Sequence, residues 1–262
     1  MLLCIFDCET IPDASLLRKI YSLEGDDKEI SLLALKEQEE LTGSSFLPLP
    51  FHKVIAISAV ICNENGSFIK VSSLKGETEK ELITEFLNFI DKKNPKLISF
   101  NGRIFDIPML MIRAMKYNIS CPSYFEKENP SLNKNKWENY RARYSDKFHI
   151  DLMDHIAEFG AVRGLKLDTL CSLIGAPGKY DVSGDQVLDL YYNGEKEKIK
   201  EYCESDVLNT YWLYLQYELL KGNMDIKEYF SHLSLMYEKM PQNKSYSEVF
   251  KTHIEKKIKE EI

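Results

Sequence analysis

The stretch Leu2-Leu-Cys-Ile-Phe-Asp-Cys-Glu-Thr10 joins a short apolar run to two acids that are spaced two residues apart. Residues 2–6 are predicted to form a buried strand, with Asp7 and Glu9 at its end. Because the side chains of a strand alternate between its faces, both carboxylates are expected to point to the same side. Two neighbouring anions repel each other unless a cation joins them. Their hard oxygen ligands suit Mg²⁺ or Mn²⁺.

The other elements follow from the spacing of apolar residues along the chain. Strands are predicted over residues 54–61, 68–73 and 96–100, and helices over residues 31–41, 78–92, 108–115 and 196–220. A pair of helices is expected within residues 155–175, with Leu165, Leu167, Leu170 and Leu173 as core candidates. This order of strands and helices indicates an α/β layer fold.

Three further residues have the chemistry to join the first two acids. Asp106 lies between a predicted strand and a predicted helix, where capping the helix is the ordinary role of an aspartate. Its apolar neighbours Phe105 and Ile107 favour a second interpretation, because a carboxylate among hydrophobic groups needs a partner such as a metal. Tyr202 and Asp206 are four residues apart and share one face of a predicted helix. A phenol beside a metal-bound carboxylate can orient a water molecule, although a half-buried tyrosine with a surface aspartate is the plainer interpretation.

Bulk composition narrows the class of protein. The 262 residues are 44% hydrophobic and fit one large α/β domain, alone or with an appendage. The formal net charge of −7 argues against a sequence-independent duplex binder but not against a nuclease. No apolar run approaches the roughly 18 residues that a membrane span needs, so no membrane partner and a cytoplasmic location are expected. The six cysteines form no Cys-x-x-Cys pair, and reduced thiols are expected.

Residues 127–149 combine cations with aromatic side chains. They contain six lysines and arginines against three acids, interleaved with Trp137, Tyr140, Tyr144 and Phe148. Cations next to stacking rings are typical of single-strand binding. A solvated loop with a few core aromatics is an equally good interpretation. His149 at the end of this segment and Asp151 just after it are interpreted either as supports of the site or as ordinary core residues.

Taken together, the acidic segments resemble a known family. Phe6-Asp-Cys-Glu-Thr10, Asn101-x-x-x-Phe105-Asp106 and Tyr202-x-x-x-Asp206 resemble, in order, the three motifs of the DEDD superfamily of exonucleases. The third motif has a tyrosine four residues before its aspartate, and in this it resembles the tyrosine subclass of the superfamily. The chain most resembles stand-alone predicted 3′→5′ exonucleases related to the proofreading domain of family B DNA polymerases. The likeness covers about residues 1–220 and includes residues 47–54, 101–110, 149–154, 173–179 and 202–211.

The resemblance implies a ribonuclease H-like fold, in which helices flank a central mixed β-sheet. An exonuclease domain would occupy residues 1–222, with residues 21–50 inserted between its first two strands. Residues 223–262 would form a helical C-terminal appendage. Two divalent ions, Mg²⁺ or Mn²⁺, would be held by a set of four acids, with Tyr202 orienting the attacking water. That set is Asp7, Glu9, Asp106 and Asp206, and the contacts to the last nucleotide would come from Thr10, Asn101 and Phe105.

The expected function is metal-dependent 3′→5′ exonucleolytic removal of nucleotides from single-stranded or frayed DNA. Two alternatives stay open at this point. One is RNA trimming, since recognition of a 2′-hydroxyl is not legible from the sequence. The other is a nucleic-acid-binding subunit without turnover, against which the intact acids and tyrosine count. The sequence indicates no particular protein partner.

Overall fold

The centre of the molecule is a five-stranded mixed sheet. A computed structural model describes residues 1–179 and 184–260. The strands are β1 (Leu3–Pro12), β2 (His52–Cys62), β3 (Phe68–Ser73), β4 (Lys96–Ser99) and β5 (His149–Asp151). Their order in the sheet is β3-β2-β1-β4-β5. β1 and β3 are antiparallel to β2, β4 is parallel to β1, and β5 is parallel to β4. The predicted mixed sheet is therefore confirmed.

Helices cover both faces of this sheet. They are α1 (Ala14–Tyr21), α2 (Asp27–Thr42), α3 (Glu79–Lys93), α4 (Asp106–Lys116), α5 (Pro122–Phe125), α6 (Leu152–Ile156), α7 (Leu167–Ile174), α8 (Val187–Tyr192), α9 (Lys196–Leu220), α10 (Ile226–Glu238) and α11 (Ser247–Lys259). α3 starts close to its predicted bound because Thr78 and Glu81 form a capping box. Within residues 1–179 and 184–260, none of these helices has the length and apolar character needed to cross a membrane.

The first strand is longer than the sequence pattern indicates. β1 continues to Pro12 and pairs with β2 as far as His52, so Asp7 and Glu9 lie inside a paired strand rather than at its end. The register shifts between Glu9 and Thr10. Asp7 and Glu9 interrupt the apolar run on which the strand prediction rests. The backbone stays extended through them because it is hydrogen-bonded to β2.

Alternation along β1 assigns its side chains to two cores. Leu3 and Ile5 belong to the core under α9, whereas Cys4 and Phe6 belong to the core under α3 and α4. The rings of Phe6 and Phe86 on α3 lie 5.0 Å apart. Because the alternation continues, Asp7 and Glu9 point to the same face as Leu3 and Ile5. The two acids therefore face α9, which carries the third predicted motif.

The C-terminal helices share the core of the sheet. The indole Nε1 of Trp212 on α9 donates a 2.9 Å hydrogen bond to the hydroxyl of Tyr229 on α10. Phe250 and Ile254 of α11 are fully buried in the same cluster. The helical character expected for this segment is present in α10 and α11. The boundary at residue 222 stays a prediction, and residues 180–183 and 261–262 of the two predicted domains lie outside the described residues.

One predicted core position is wrong. Leu173 is 80% exposed on α7, whereas Leu167 and Leu170 pack against the core under α9. α7 presents Cys171 and Ile174 inward, on the helical stripe that continues from Leu167 and Leu170. Leu173 lies off that stripe, which a count of leucines alone does not reveal.

Candidate active site

The structure brings the four predicted acids into one cluster. Asp7 and Glu9 come from β1, Asp106 is the first residue of α4, and Asp206 comes from α9. Burial raises the pKa of Asp7 well above its usual range, and the charges of Asp106, Glu9 and Asp206 raise it further. Burial also raises the pKa of Glu9, followed by the charges of Asp206 and Asp106. Asp106 and Asp206 are therefore close enough to Asp7 and Glu9 to disfavour the ionisation of both.

α9 lies directly over β1 at this cluster. The thiol of Cys203 donates a 3.4 Å hydrogen bond to the backbone carbonyl of Asp7. Tyr202 and Asp206 lie one helical turn apart on the same face of α9. Burial raises the pKa of Asp206 to about 6. Burial, followed by the charges of Asp206 and Glu9, raises the pKa of Tyr202 above its usual range. The phenol therefore keeps its proton at neutral pH.

The loop between β4 and α4 is held by Asp151. Its carboxylate accepts hydrogen bonds from the backbone N–H groups of Asn101, at 2.9 Å, and Arg103, at 2.7 Å. Gly102 between them has no room for a side chain, since a Cβ would lie 2.6 Å from the Cβ of Ser99. These contacts fix the path of the loop, and α4 begins at its end with Asp106. His149 is buried and bonds Ser99 Oγ through Nε2 at 2.9 Å, so it packs beneath the loop and does not join the acids.

Asp106 has an oxygen available for a ligand. The residue is 3% exposed, and among the residues that the structure describes its Oδ1 has no hydrogen-bond partner. Burial raises its pKa to about 7. In the same cluster, ligand atoms of Asp7, Glu9 and Cys203 all lie within 4.8 Å of one another. Crowded carboxylates with an unpaired oxygen are a donor set that a divalent cation fits.

An open cleft of about 550 Å³ adjoins Glu9. Thr10 and Phe105, both predicted to contact substrate, line it, together with Leu35, Phe46, Leu47, His52 and Leu188. The Phe46 ring lies 4.9 Å from His52 and 5.2 Å from Phe105, centroid to centroid. Phe46 is 55% exposed, so it offers an aromatic surface to the cleft. Asn101, the third predicted contact, is not among the lining residues and lies in the β4–α4 loop.

Sequence reasoning missed several side chains at this site. Lys179 places its Nζ 5.6 Å from the centre of the Tyr202 ring. Its positive charge partly offsets the burial that raises the pKa of Glu9 and Asp206. Asn209 of α9 fixes the segment by accepting a 3.1 Å hydrogen bond from the N–H of Gly178. The turn Ala176-Pro-Gly178 before a lysine was the available signal. His52 and Cys203 lie within the segments 47–54 and 202–211 of the family resemblance, but no local pattern indicates a role for either, and Phe46 lies outside those segments.

The segment 127–149 divides between core and surface. Tyr140 and Phe148 are fully buried, and buried Lys134 donates a 2.7 Å hydrogen bond to the carbonyl of Ser123. For these three residues the interpretation as a single-strand binding surface is wrong, because they fill the space beside β4 and β5. Trp137 and Tyr144 are 72% and 76% exposed. For those two the interpretation stays a prediction.

A comparison with solved structures identifies the fold class. The sheet with its flanking helices is the α/β, ribonuclease H-like fold that the resemblance implied. The family B DNA polymerase of the hyperthermophilic archaeon Pyrobaculum calidifontis matches it with a TM-score of 0.50 and 16% sequence identity. That match covers 97% of this chain and 27% of the polymerase chain.

The family is then defined by sequence. A family described as a predicted 3′→5′ exonuclease related to the exonuclease domain of PolB matches residues 44–257, and the chain belongs to this family. Membership places the chain among 3′→5′ exonucleases, as predicted. The match includes Asp106, Tyr202 and Asp206 and starts after Asp7 and Glu9.

Curated relatives agree with this assignment. The chain is 27% identical to a DNA polymerase of Archaeoglobus fulgidus over 191 residues, 70% of this chain and 23% of the polymerase. It is 23% identical to DNA polymerase 120R of Invertebrate iridescent virus 3 over 220 residues, 75% of this chain and 19% of that protein. The chain therefore spans about a fifth of the length of these relatives.

Proposed function

We propose that this chain is a metal-dependent exonuclease that removes nucleotides from the 3′ ends of single-stranded or frayed DNA. The observation that carries the proposal is the cluster of four acids beside the open cleft of about 550 Å³. The cluster supplies oxygen ligands for cations, and the cleft adjoins it at Glu9. A terminal nucleotide in the cleft would place its phosphodiester bond at the acids.

Two divalent ions, Mg²⁺ or Mn²⁺, would be held by Asp7, Glu9, Asp106 and Asp206. When bound, such ions activate a water molecule and stabilise the leaving oxygen of a phosphodiester. The fit rests on the crowding of these acids and on the unpaired Oδ1 of Asp106. Bound cations would also account for four carboxylates that lie together despite their mutual repulsion.

The other side chains of the site would bind the terminal nucleotide and orient the attacking water. Tyr202 keeps its proton and lies beside Asp206, so it would position a water molecule rather than accept a proton from it. Lys179 beside the Tyr202 ring supplies a positive charge for the phosphate. Thr10 and Phe105 hold the terminal nucleotide from the cleft wall, and Asn101 contacts it from the loop.

DNA is favoured over RNA because the relatives are named as DNA polymerases. The carboxylate cluster alone serves either polymer, so RNA trimming is the second candidate. A binding subunit without turnover is the third. It would give no reason to place the buried Tyr202 beside Asp206.

We expect a 5′-labelled single-stranded DNA oligonucleotide to be shortened from its 3′ end in Mn²⁺ or Mg²⁺. An RNA oligonucleotide of the same sequence should be shortened more slowly. The ladder should disappear with EDTA and in Asp206→Asn, which loses a metal ligand. Asp189→Asn is the matched control, because Asp189 is an exposed aspartate paired with Lys28 on the surface. Faster loss of RNA would support the second candidate, and intact oligonucleotides with bound metal would support the third.

Tyr202→Phe is expected to lower kcat about 10- to 100-fold with little change in metal affinity. The variant keeps the buried ring and removes only the hydroxyl, which would hold the attacking water beside Asp206. A hydrogen bond to a charged group contributes about 1.5–3 kcal/mol, which corresponds to that loss of rate. Single-turnover rates and Mn²⁺ titration measure the two quantities. Tyr191→Phe, which loses a hydroxyl bonded to Lys53 away from the acids, should keep the wild-type rate. An unchanged rate in Tyr202→Phe would remove the tyrosine from the mechanism.

A further inference from the structure

The imidazole of His52 has a defined tautomer. Its Nε2 lies 2.9 Å from the backbone carbonyl oxygen of Leu47, and its Nδ1 lies 2.9 Å from the hydroxyl of Thr10. A carbonyl oxygen only accepts hydrogen bonds, so the proton is on Nε2. Burial lowers the pKa of His52 below its usual range, and the charge of Arg113 lowers it further. The ring is therefore neutral at pH 7, and Nδ1 is an acceptor.

This tautomer determines the direction of the next hydrogen bond. Since Nδ1 of His52 accepts, the hydroxyl of Thr10 must donate to it. A threonine hydroxyl has one hydrogen and two lone pairs. With its hydrogen committed to His52, Thr10 can only accept a hydrogen bond from a molecule in the cleft.

Aromatic packing keeps the ring in this orientation. His52 lies between Phe46 and Phe105, whose ring centres are 4.9 Å and 5.0 Å away. A flipped imidazole would turn carbon atoms toward both Leu47 and Thr10 and lose both hydrogen bonds. The two hydrogen bonds that join Leu47, His52 and Thr10 are therefore fixed, and we call them the relay. The relay leaves the hydroxyl oxygen of Thr10 as a hydrogen-bond acceptor beside Glu9.

We propose that His52 is a positioning residue that makes the cleft specific, through Thr10, for a terminal nucleotide with a free 3′-hydroxyl. The inference rests on the proposed function, since it requires the terminal nucleotide to occupy this cleft. A 3′-hydroxyl donates the hydrogen bond that Thr10 accepts. A 3′-hydrogen offers no hydrogen bond. A 3′-phosphate adds negative charge next to Glu9, which is unfavourable.

The test compares three 5′-fluorescent DNA oligonucleotides that differ only at the last sugar, with a 3′-hydroxyl, a 3′-hydrogen or a 3′-phosphate. Removal of the last nucleotide is timed under single-turnover conditions in Mn²⁺, and affinity is measured separately by fluorescence anisotropy without divalent metal. The wild type should prefer the 3′-hydroxyl over the 3′-hydrogen about 10-fold, the effect of about 1.4 kcal/mol from one hydrogen bond.

Two variants separate the relay from general packing. His52→Phe keeps a ring between Phe46 and Phe105 and removes both nitrogens. Thr10→Val keeps the shape of Thr10 and removes its hydroxyl. In each, the preference should fall to about 2-fold, and the double variant should lose no more, because both residues act through one contact. Thr10→Ser should retain the wild-type preference. If His52→Phe does not fold, as judged by its circular dichroism, Thr10→Val and Thr10→Ser give the same comparison.

The outcomes distinguish the inference from the function on which it rests. Cleavage of all oligonucleotides with an equal rate for 3′-hydroxyl and 3′-hydrogen ends would overturn the inference and leave the exonuclease intact. A preference that His52→Phe and Thr10→Val leave at its wild-type value would also overturn it. No cleavage by the wild type, with the affinity preference present and lost in the variants, would refute the proposed function and support the relay as a binding device.

Discussion

Asp7→Asn is expected to abolish exonuclease activity and, at the same time, to raise the melting temperature of the metal-free protein. Asp7 faces three other acids, and burial together with their charges raises its pKa. A divalent ion contributes several kcal/mol to catalysis, so loss of a ligand should reduce the rate at least about a thousandfold. The amide also removes a carboxyl whose ionisation the other three acids oppose, which should stabilise the metal-free fold by about 1–3 kcal/mol at pH 8.

The gain in stability should depend on pH in a defined direction. A carboxyl whose pKa is raised on folding binds more protons in the folded state, so its presence lowers stability as the pH rises. Near pH 4, about the ordinary pKa of an aspartate, wild type and Asp7→Asn should melt together. Above pH 4, the melting temperature of Asp7→Asn should exceed that of the wild type by a margin that grows with pH. Thermal unfolding followed by circular dichroism in EDTA, from pH 4 to pH 8, measures the difference.

Adding Mn²⁺ should reverse the order of the two melting temperatures, so that the wild type becomes more stable than Asp7→Asn. An ion that binds only the folded state raises the melting temperature of the wild type. The variant, lacking a ligand, should respond weakly. Asp189→Asn, the surface control, should follow the wild type in both buffers. A metal-free Asp7→Asn that is less stable than wild type at pH 8 would show that Asp7 is a structural carboxylate with an unrecognised partner.

The sequence was sufficient for most of the fold because its elements repeat a regular spacing of apolar residues. α9 begins and ends at the predicted residues, and β3 matches its predicted bounds. The apolar pattern predicts a β1 that is too short, because hydrogen bonds to β2, which no local pattern shows, carry the strand through Asp7 and Glu9. α1 was not predicted, since its eight residues depend on the Asp13 cap and on packing against α2.

For the candidate site, the resemblance of short motifs selected acids that the structure places in one cluster. Their role in catalysis stays a proposal. What the sequence did not indicate is the opposite wall of the cleft. Phe46 and His52 lie in and beside the segment inserted between β1 and β2, and only tertiary contact with Phe105 shows that they face the acids. Lys179 likewise reaches Tyr202 from a separate turn. Contacts between segments remote in sequence are set by packing rather than by local pattern.

Glu79→Gln is expected to destabilise the fold by about 3 kcal/mol, because it breaks a fully buried ion pair. Arg113 of α4 donates to Glu79 through Nε at 2.7 Å and through Nη2 at 2.6 Å, and both side chains are 2% exposed. Nη2 also reaches Asp13 at 2.7 Å, while Oε1 of Glu79 accepts from the N–H of Val54. The glutamine leaves the charge of Arg113 buried and only partly compensated.

This network ties the elements that carry the acids. Arg113 lies two helical turns after Asp106, and Asp13 directly follows the strand that holds Asp7 and Glu9. Urea denaturation at pH 7 should therefore show a lower midpoint for Glu79→Gln, and the exonuclease rate should fall with it. Glu77→Gln is the matched control, since Glu77 is exposed and lies 3.8 Å from Lys196, a surface pair that contributes little. A loss below about 1 kcal/mol in Glu79→Gln would mean that Asp13 alone compensates Arg113. The start of α4 would then be held chiefly by Asp151.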